Sequence, residues 1–171
     1  PRLHGPARST WRMIPNGVDI NRYALRTGPL SADRQVWAVV AALRPDKNHV
    51  DLIRAWAGVV AVHPEAILLV IGDGPSRADI ERAVSDAGLG ESVRLLGRRE
   101  DVPEILPTID GVVPMRDVPA LTQALLDTIG NPVRAAEYGA AGRAMVEEKY
   151  SMRTWVDRLE HLYREVIDER A

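Results

Sequence analysis

The chain contains no cysteine, which removes disulfides, thiolate metal sites and cysteine nucleophiles together. Histidine is scarce as well. His4, His49, His63 and His161 include no pair at the two-on-one-face spacing of a zinc protease helix, so no metal is expected. Charge of one sign is also missing: 22 basic against 24 acidic side chains leave a formal charge of -2, with arginines scattered among carboxylates. Proteins that grip phosphate backbones gather basic residues into a stripe, so nucleic acid is not an expected partner. No apolar run approaches the roughly 20 residues that span a bilayer, and no apolar stretch follows the arginines of residues 1–10 as in a signal peptide. The proline at position 1 leads us to expect a start within a longer gene, or after trimming.

What is present is an alternation of strand and helix signals. At 171 residues one domain fits comfortably. Residues 1–35 are punctuated by Gly5-Pro6, Pro15-Asn16-Gly17 and Gly28-Pro29; they are read as a linker or extension, with Met13-Ile14 a candidate short strand. The domain proper, residues 36–171, opens with a continuous apolar run from Val36 to Leu43, as expected of a strand covered on both faces. After the turn Arg44 to Asn48, a helix carries Leu52, Ile53, Trp56, Val59 and Val60 on one side until His63-Pro64 ends it. A second buried strand, Ala66 to Ile71, runs into Gly72-Asp73-Gly74-Pro75. There Ser76 with Asp79 forms a candidate capping box for a helix presenting Ile80, Ala83, Val84 and Ala87 and stopped by Gly88. Ser92 to Leu96 is the third strand, and Asp101 with Glu104 is a candidate cap for a short helix through Leu106.

This order predicts an α/β fold with a Rossmann-like parallel sheet, both crossover helices lying on one face. From Val118 onward three helices and no strand are expected. The first has Val118, Leu121, Leu125 and Thr128 on one face; Asn131-Pro132 breaks it. The second shows a small face of Ala136, Ala140, Ala141 and Ala144. Ser151 caps the third, which carries Met152, Trp155, Val156, Leu159, Leu162, Tyr163 and Val166. A parallel sheet needs helices on both faces, and these late helices could supply the second cover. Three strands make a thin sheet; only Val112-Val113 offers a further edge strand, and the chain reads as abbreviated around Gly111. Trp37, Trp56 and Trp155 are expected in cores, whereas Trp11 lies outside the regular region. His49 and His161 are read as helix residues without a carboxylate arranged for base catalysis.

Lys47 lies where a parallel strand gives way to a helix. That is the carboxyl edge of the sheet, where open α/β folds place ligands, and a cation there can meet a diphosphate. An ordinary surface lysine is the alternative. Gly72 and Gly74 follow the second strand, where the backbone turns sharply or approaches a ligand. The strict three-glycine fingerprint is absent, because Pro75-Ser76-Arg77 follows; the helix N-terminus after Gly74 could still meet an anion.

Several segments in order resemble one family. They are Ile14-Pro15-Asn16-Gly17-Val18-Asp19, Ala42-Leu43-Arg44-Pro45-Asp46-Lys47, Val70-Ile71-Gly72-Asp73-Gly74-Pro75 and Leu96-Gly97-Arg98-Arg99-Glu100-Asp101-Val102. Leu106 to Asp110, Val113-Pro114-Met115-Arg116-Asp117 and Ser151 to Trp155 add weaker matches. Together they resemble the C-terminal, donor-binding half of a GT-B glycosyltransferase of the retaining family GT4. The resemblance implies a nucleotide-diphosphate sugar, such as a UDP- or GDP-sugar, as substrate, with no metal and no further cofactor. It makes Lys47 the phosphate-binding lysine and turns the loop of Gly97, Arg98 and Val102 toward the nucleobase, with Arg98 either beside the base or part of a charged surface loop. The family's companion arginine falls on Ala42; Arg44, two residues on, either substitutes or simply faces solvent. The N-terminal acceptor domain is an implied partner missing from the chain. A cytoplasmic location is implied, with attachment to the inner face of the membrane left open for the full-length parent.

One departure matters. Between Gly111 and Val112 the family carries several tens of residues, including the Glu-x7-Glu motif that contacts donor sugar and ribose. Here that segment is deleted or the chain is interrupted. No catalytic residue is therefore assigned, and the chain alone is expected to be inactive. The alternative reading is an engineered or remnant half-Rossmann fragment that folds and forms a homo-oligomer through an exposed sheet edge.

Overall fold

The computed structural model describes residues 12–24, 34–113 and 118–168, and of residues 118–121 only the backbone course. The chain divides into two compact units, one of residues 23–139 and one of residues 1–22 with 140–171. Trp11 and the segment Pro114 to Asp117 lie outside the described residues.

The larger unit is built on four parallel strands, β1 (Val36–Val40), β2 (Ile67–Ile71), β3 (Val93–Gly97) and β4 (Gly111–Val112), in the order β3-β2-β1-β4. Side chains alternate across such a sheet, and the two faces bury different partners. Trp37 and Val39 of β1, Leu68 and Val70 of β2 and Val93 of β3 join one core. It is completed by α1 (His49–Val62) through Leu52, Ile53, Trp56 and Val59, and by α2 (Arg77–Asp86) through Ile80 and Val84. Both crossover helices thus share a face. Ala38 and Ile71 meet Ile109 in a smaller cluster on the alternate side chains, with Val102 and Ile105 of α3 (Val102–Ile105) and Leu106 packed against it.

The three late helices follow as the sequence predicts. Within the larger unit α4 (Val118–Ile129) enters the core through Leu125 and Ile129 beside the α1 residues, whereas α5 (Pro132–Lys149) and α6 (Met152–Asp168) have no buried residue. The alanine face of α5 is exposed, since Ala136, Ala140, Ala141 and Ala144 are all open to solvent; alanine buries too little surface to hold a helix down. The second face of the sheet is covered instead by α3 and the turn Leu106–Thr108.

Local signals fared unevenly. Gly88 stops α2 at φ 67, Asn131 Oδ1 accepts the Arg134 amide at the start of α5, and Ser151 Oγ accepts the Thr154 amide at the start of α6. Ser76 and Asp101 make no side-chain cap: Asp101 is taken by Arg99 instead. Met13-Ile14 forms no strand; in the smaller unit the bridge falls between Val18 and Ser151. There Trp155 is half-buried rather than core, with its Cβ 2.7 Å from where a side chain at Gly17 would begin. Gly111 and Val112 form the edge strand opposite Trp37 and Ala38. No helix among the described residues is long and apolar enough to cross a membrane.

His49 opens α1 with only 3% of its surface exposed, and neither ring nitrogen has a partner. Burial, and secondarily the nearby Lys47, holds its pKa below the usual 6.5. The fold therefore favours the neutral ring. Its contribution is complete above the unfolded-state value and is lost as pH falls through it, levelling off below the folded-state value. The melting temperature is expected to drop between about pH 7.5 and about pH 5.5, and His49→Leu should flatten that step; an equal slope in the variant would assign it to other groups.

Candidate functional site

Three loops leave the sheet from one rung. Val40 stands opposite Ile71, and Ile71 opposite Gly97, so the chain departs after β1, β2 and β3 at the same carboxyl edge. Backbone bonds tie the departures together: Ala41 N–H to Ile71 O and Leu43 N–H to Asp73 O, both 3.0 Å, Ser76 N–H to Leu43 O and Gly72 N–H to Gly97 O, both 2.9 Å. Six sequence-proposed residues, Arg44, Lys47, Gly72, Gly74, Arg98 and Val102, all lie on these loops or at their ends.

The glycines answer to the backbone. Gly72 has φ 145 and Gly74 φ 156; a Cβ on them would meet the carbonyl oxygens of Ala41 at 1.9 Å and Leu43 at 2.5 Å. Their lack of a side chain lets the first two loops pass in contact, which the sequence reading had weighed as the turn role.

The cations differ in how far they are committed. Arg44 donates through Nε and Nη2 to both oxygens of Asp46, at 3.0 and 2.8 Å. This holds the Asp46 carboxyl below its usual range and raises the Arg44 guanidinium. Arg44 faces its own loop and would have to release Asp46 to reach a ligand. Lys47 closes the 3-10 turn Pro45–Lys47; its Nζ sits 4.0 Å from Asp46 Oδ2 with 41% of the side chain exposed. An ammonium held so loosely keeps its donors for an incoming anion. Asn48 follows in the left-handed region at φ 50 and donates to Asp51 at 2.7 Å, fixing the start of α1.

In the third loop Arg99 and Asp101 form a two-point pair, which lowers the Asp101 pKa and raises that of Arg99. Arg98 is exposed and has no ion pair among the described residues. Val102 is half-buried at the head of α3, against the second cluster. The structure also brings in Arg77, which the sequence reading passed over. Its Nε pairs with Glu81 Oε1 at 2.8 Å, and its Nη1 lies 3.8 Å from where a side chain at Gly97 would begin. The available signal was an Arg and Glu four apart at the head of a helix following a glycine loop. Among the described residues, no group of three or more His, Asp or Glu side chains could hold a metal ion.

Comparison with known proteins places this geometry. The family model of glycosyl transferases group 1 matches residues 25–115. The chain is 27% identical to a GDP-mannose-dependent monoacylated alpha-(1-6)-phosphatidylinositol monomannoside mannosyltransferase of Corynebacterium glutamicum, covering 90% of this chain and 56% of that protein. A Mycolicibacterium smegmatis GDP-mannose-dependent alpha-(1-6)-phosphatidylinositol monomannoside mannosyltransferase is 26% identical, covering 87% and 55%. The chain thus spans about half the length of the curated relatives it matches. Its structure resembles that of Anabaena HepE in complex with UDP, with TM-score 0.75, 17% identity, and 90% of this chain and 57% of that one covered. A complex of Staphylococcus aureus TarM that contains UDP gives TM-score 0.77 at 17% identity, covering 89% and 39%. The alignment to the Corynebacterium protein runs over 214 residues, yet 90% of this 171-residue chain is only about 154, so about 60 aligned positions have no counterpart here. The fold is that of a GT-B glycosyltransferase domain, and with 91 of its 171 residues inside the family model, the chain belongs to the glycosyl transferases group 1.

Proposed function

We propose that this chain is the nucleotide-diphosphate-sugar-binding part of a retaining glycosyltransferase, working on the cytoplasmic side with an acceptor-binding domain as its partner. Residues 36–171 form that part and residues 1–35 the interdomain linker. The carrying observation is the convergence of three loops on one rung, with Lys47 the loosely held cation at the first of them. Its ammonium is suited to meet the diphosphate and to stabilise charge on it as the glycosidic bond breaks. Arg98 stands on the third loop for the nucleoside. No metal is invoked, since basic side chains supply the counter-charge.

A self-associating remnant is the other reading. It is favoured by the outer edge of β4, where Val112 is 51% exposed at the end of the sheet, and it requires no nucleotide. Calorimetric titration with UDP and GDP separates the two. Saturable binding of one of them is expected, weakened at least about tenfold by Lys47→Ala, because a charge-assisted bond contributes about 1.5–3 kcal/mol. Absence of saturation up to about millimolar ligand, where the free energy would be only about -4 kcal/mol, overturns the donor reading.

A further inference from the structure

We infer that Arg77 is a nucleoside-binding residue at the donor site, its guanidinium serving as a flat contact for the base. The inference rests on the donor reading above and adds to it a residue and a mode of contact. Arg77 is the second residue after Pro75, and its amide bonds to Gly74 O at 3.2 Å, so the backbone of the second loop fixes its position. From there the side chain reaches to Gly97, the last residue of β3. A side chain at Gly97 would find nothing within 4 Å except Arg77 Nη1, at 3.8 Å. At φ 69, Gly97 presents bare backbone, and among the described residues Arg77 Nη1 is the atom nearest to where a side chain there would begin.

Two features assign this cation to the nucleoside and not to the phosphates. First, β3 lies two strands from β1, about 10 Å at ordinary strand spacing, which is on the scale of a nucleoside laid across the edge from Lys47. Second, the charge of Arg77 is already compensated. Its Nε is held by Glu81 at 2.8 Å, whereas Lys47 has only a 4.0 Å contact. A guanidinium paired along one edge keeps its planar face, and that face stacks on aromatic rings. Glu81 thereby sets the plane of the fork and removes its attraction for phosphate.

The test compares nucleotides that differ only in phosphate number. UDP, UMP, GDP and GMP are titrated into the unaltered chain, Arg77→Met and Lys47→Ala. Arg77→Met is expected to weaken the diphosphate and the monophosphate of the preferred base by the same factor, about fivefold. Lys47→Ala should weaken the diphosphate more than the monophosphate. Arg77→Lys, which keeps the charge and loses the plane, should not restore affinity. A loss confined to the diphosphate, or full rescue by lysine, overturns the inference by making Arg77 a simple phosphate cation. Equal affinity of Arg77→Met and the unaltered chain overturns it as well, while leaving the donor reading intact. An unaltered chain that binds none of the four removes the donor reading itself. The Arg77–Glu81 pair is surface-exposed and contributes little to folding, so unchanged melting temperatures are expected; a fall in melting temperature that parallels the affinity loss would reduce Arg77 to a prop for the β3 loop.

Discussion

Gly72→Ala is expected to destabilise the larger unit by about 3 kcal/mol or more, the combination of a forbidden backbone region and a carbonyl that must move. The new methyl carbon would start 1.9 Å from Ala41 O, far inside any contact distance, and the atoms it meets are backbone of Ala41 and Ala42, with no flexible side chain to yield. Relief requires separating the exits of β1 and β2. Ala41 N–H bonds to Ile71 O and Gly72 N–H to Gly97 O, so a shift at Gly72 loosens three strands at once. Gly88→Ala is the control: φ 67 lies in the left-handed region, a milder backbone cost than at Gly72, and nothing among the described residues lies within 4 Å, so only strain of about 1–2 kcal/mol is incurred. Denaturant midpoints of the two variants measure the difference. Equal losses would show that the contact with Ala41 yields easily, and the rigid edge on which the site is built would lose its basis.

Much of that edge was legible in the residues. Apolar runs bounded by Gly-Asp-Gly-Pro and by Leu-Gly located β2 and β3 to within a residue: β2, central and covered on both faces, is apolar throughout, while the edge strand β3 keeps an apolar run despite its exposed Arg94. Trp56 and Leu52 marked the covered side of α1 by their helical spacing. The fate of individual polar groups was harder to read. Asp101 has the composition of a cap, yet a neighbouring arginine offers its carboxylate two charge-assisted bonds where the helix offers one; sequence distance does not reveal that competition. The same holds for Arg44, whose alternation placed it beside Ala42 but whose fork closed on Asp46. Gly111-Val112 is too short to show a period at all, and its pairing with β1 is a tertiary fact. The periodicity of α5 marked a small-residue face without showing whether anything would cover it. Arg77 escaped attention because its relation to Gly97 crosses two loops, which no local pattern encodes.

Supplied with UDP-glucose or GDP-mannose, the 171-residue chain is expected to engage the nucleotide and yet release no nucleoside diphosphate above the rate without protein. Departure of the phosphate needs more than a cation beside it. The sugar must be held so that its anomeric carbon and leaving oxygen are aligned, and alignment supplies up to about 7–11 kcal/mol of the barrier reduction. The family resemblance assigns sugar contacts to a Glu-x7-Glu segment absent from this sequence. About 60 positions present in the Corynebacterium relative have no counterpart here, and Gly111 runs directly into Val112 beside β1. On the proposed donor reading Lys47 would lower the energy of a departing phosphate, an effect of about 10²–10³ for a single preorganised donor. Without groups to orient the sugar, that factor acts on a rarely populated geometry. Chromatographic detection of UDP or GDP over time decides the matter. Release that depends on Lys47 would mean that other residues of this chain hold the sugar, and the missing segment at Gly111–Val112 would then be compatible with turnover.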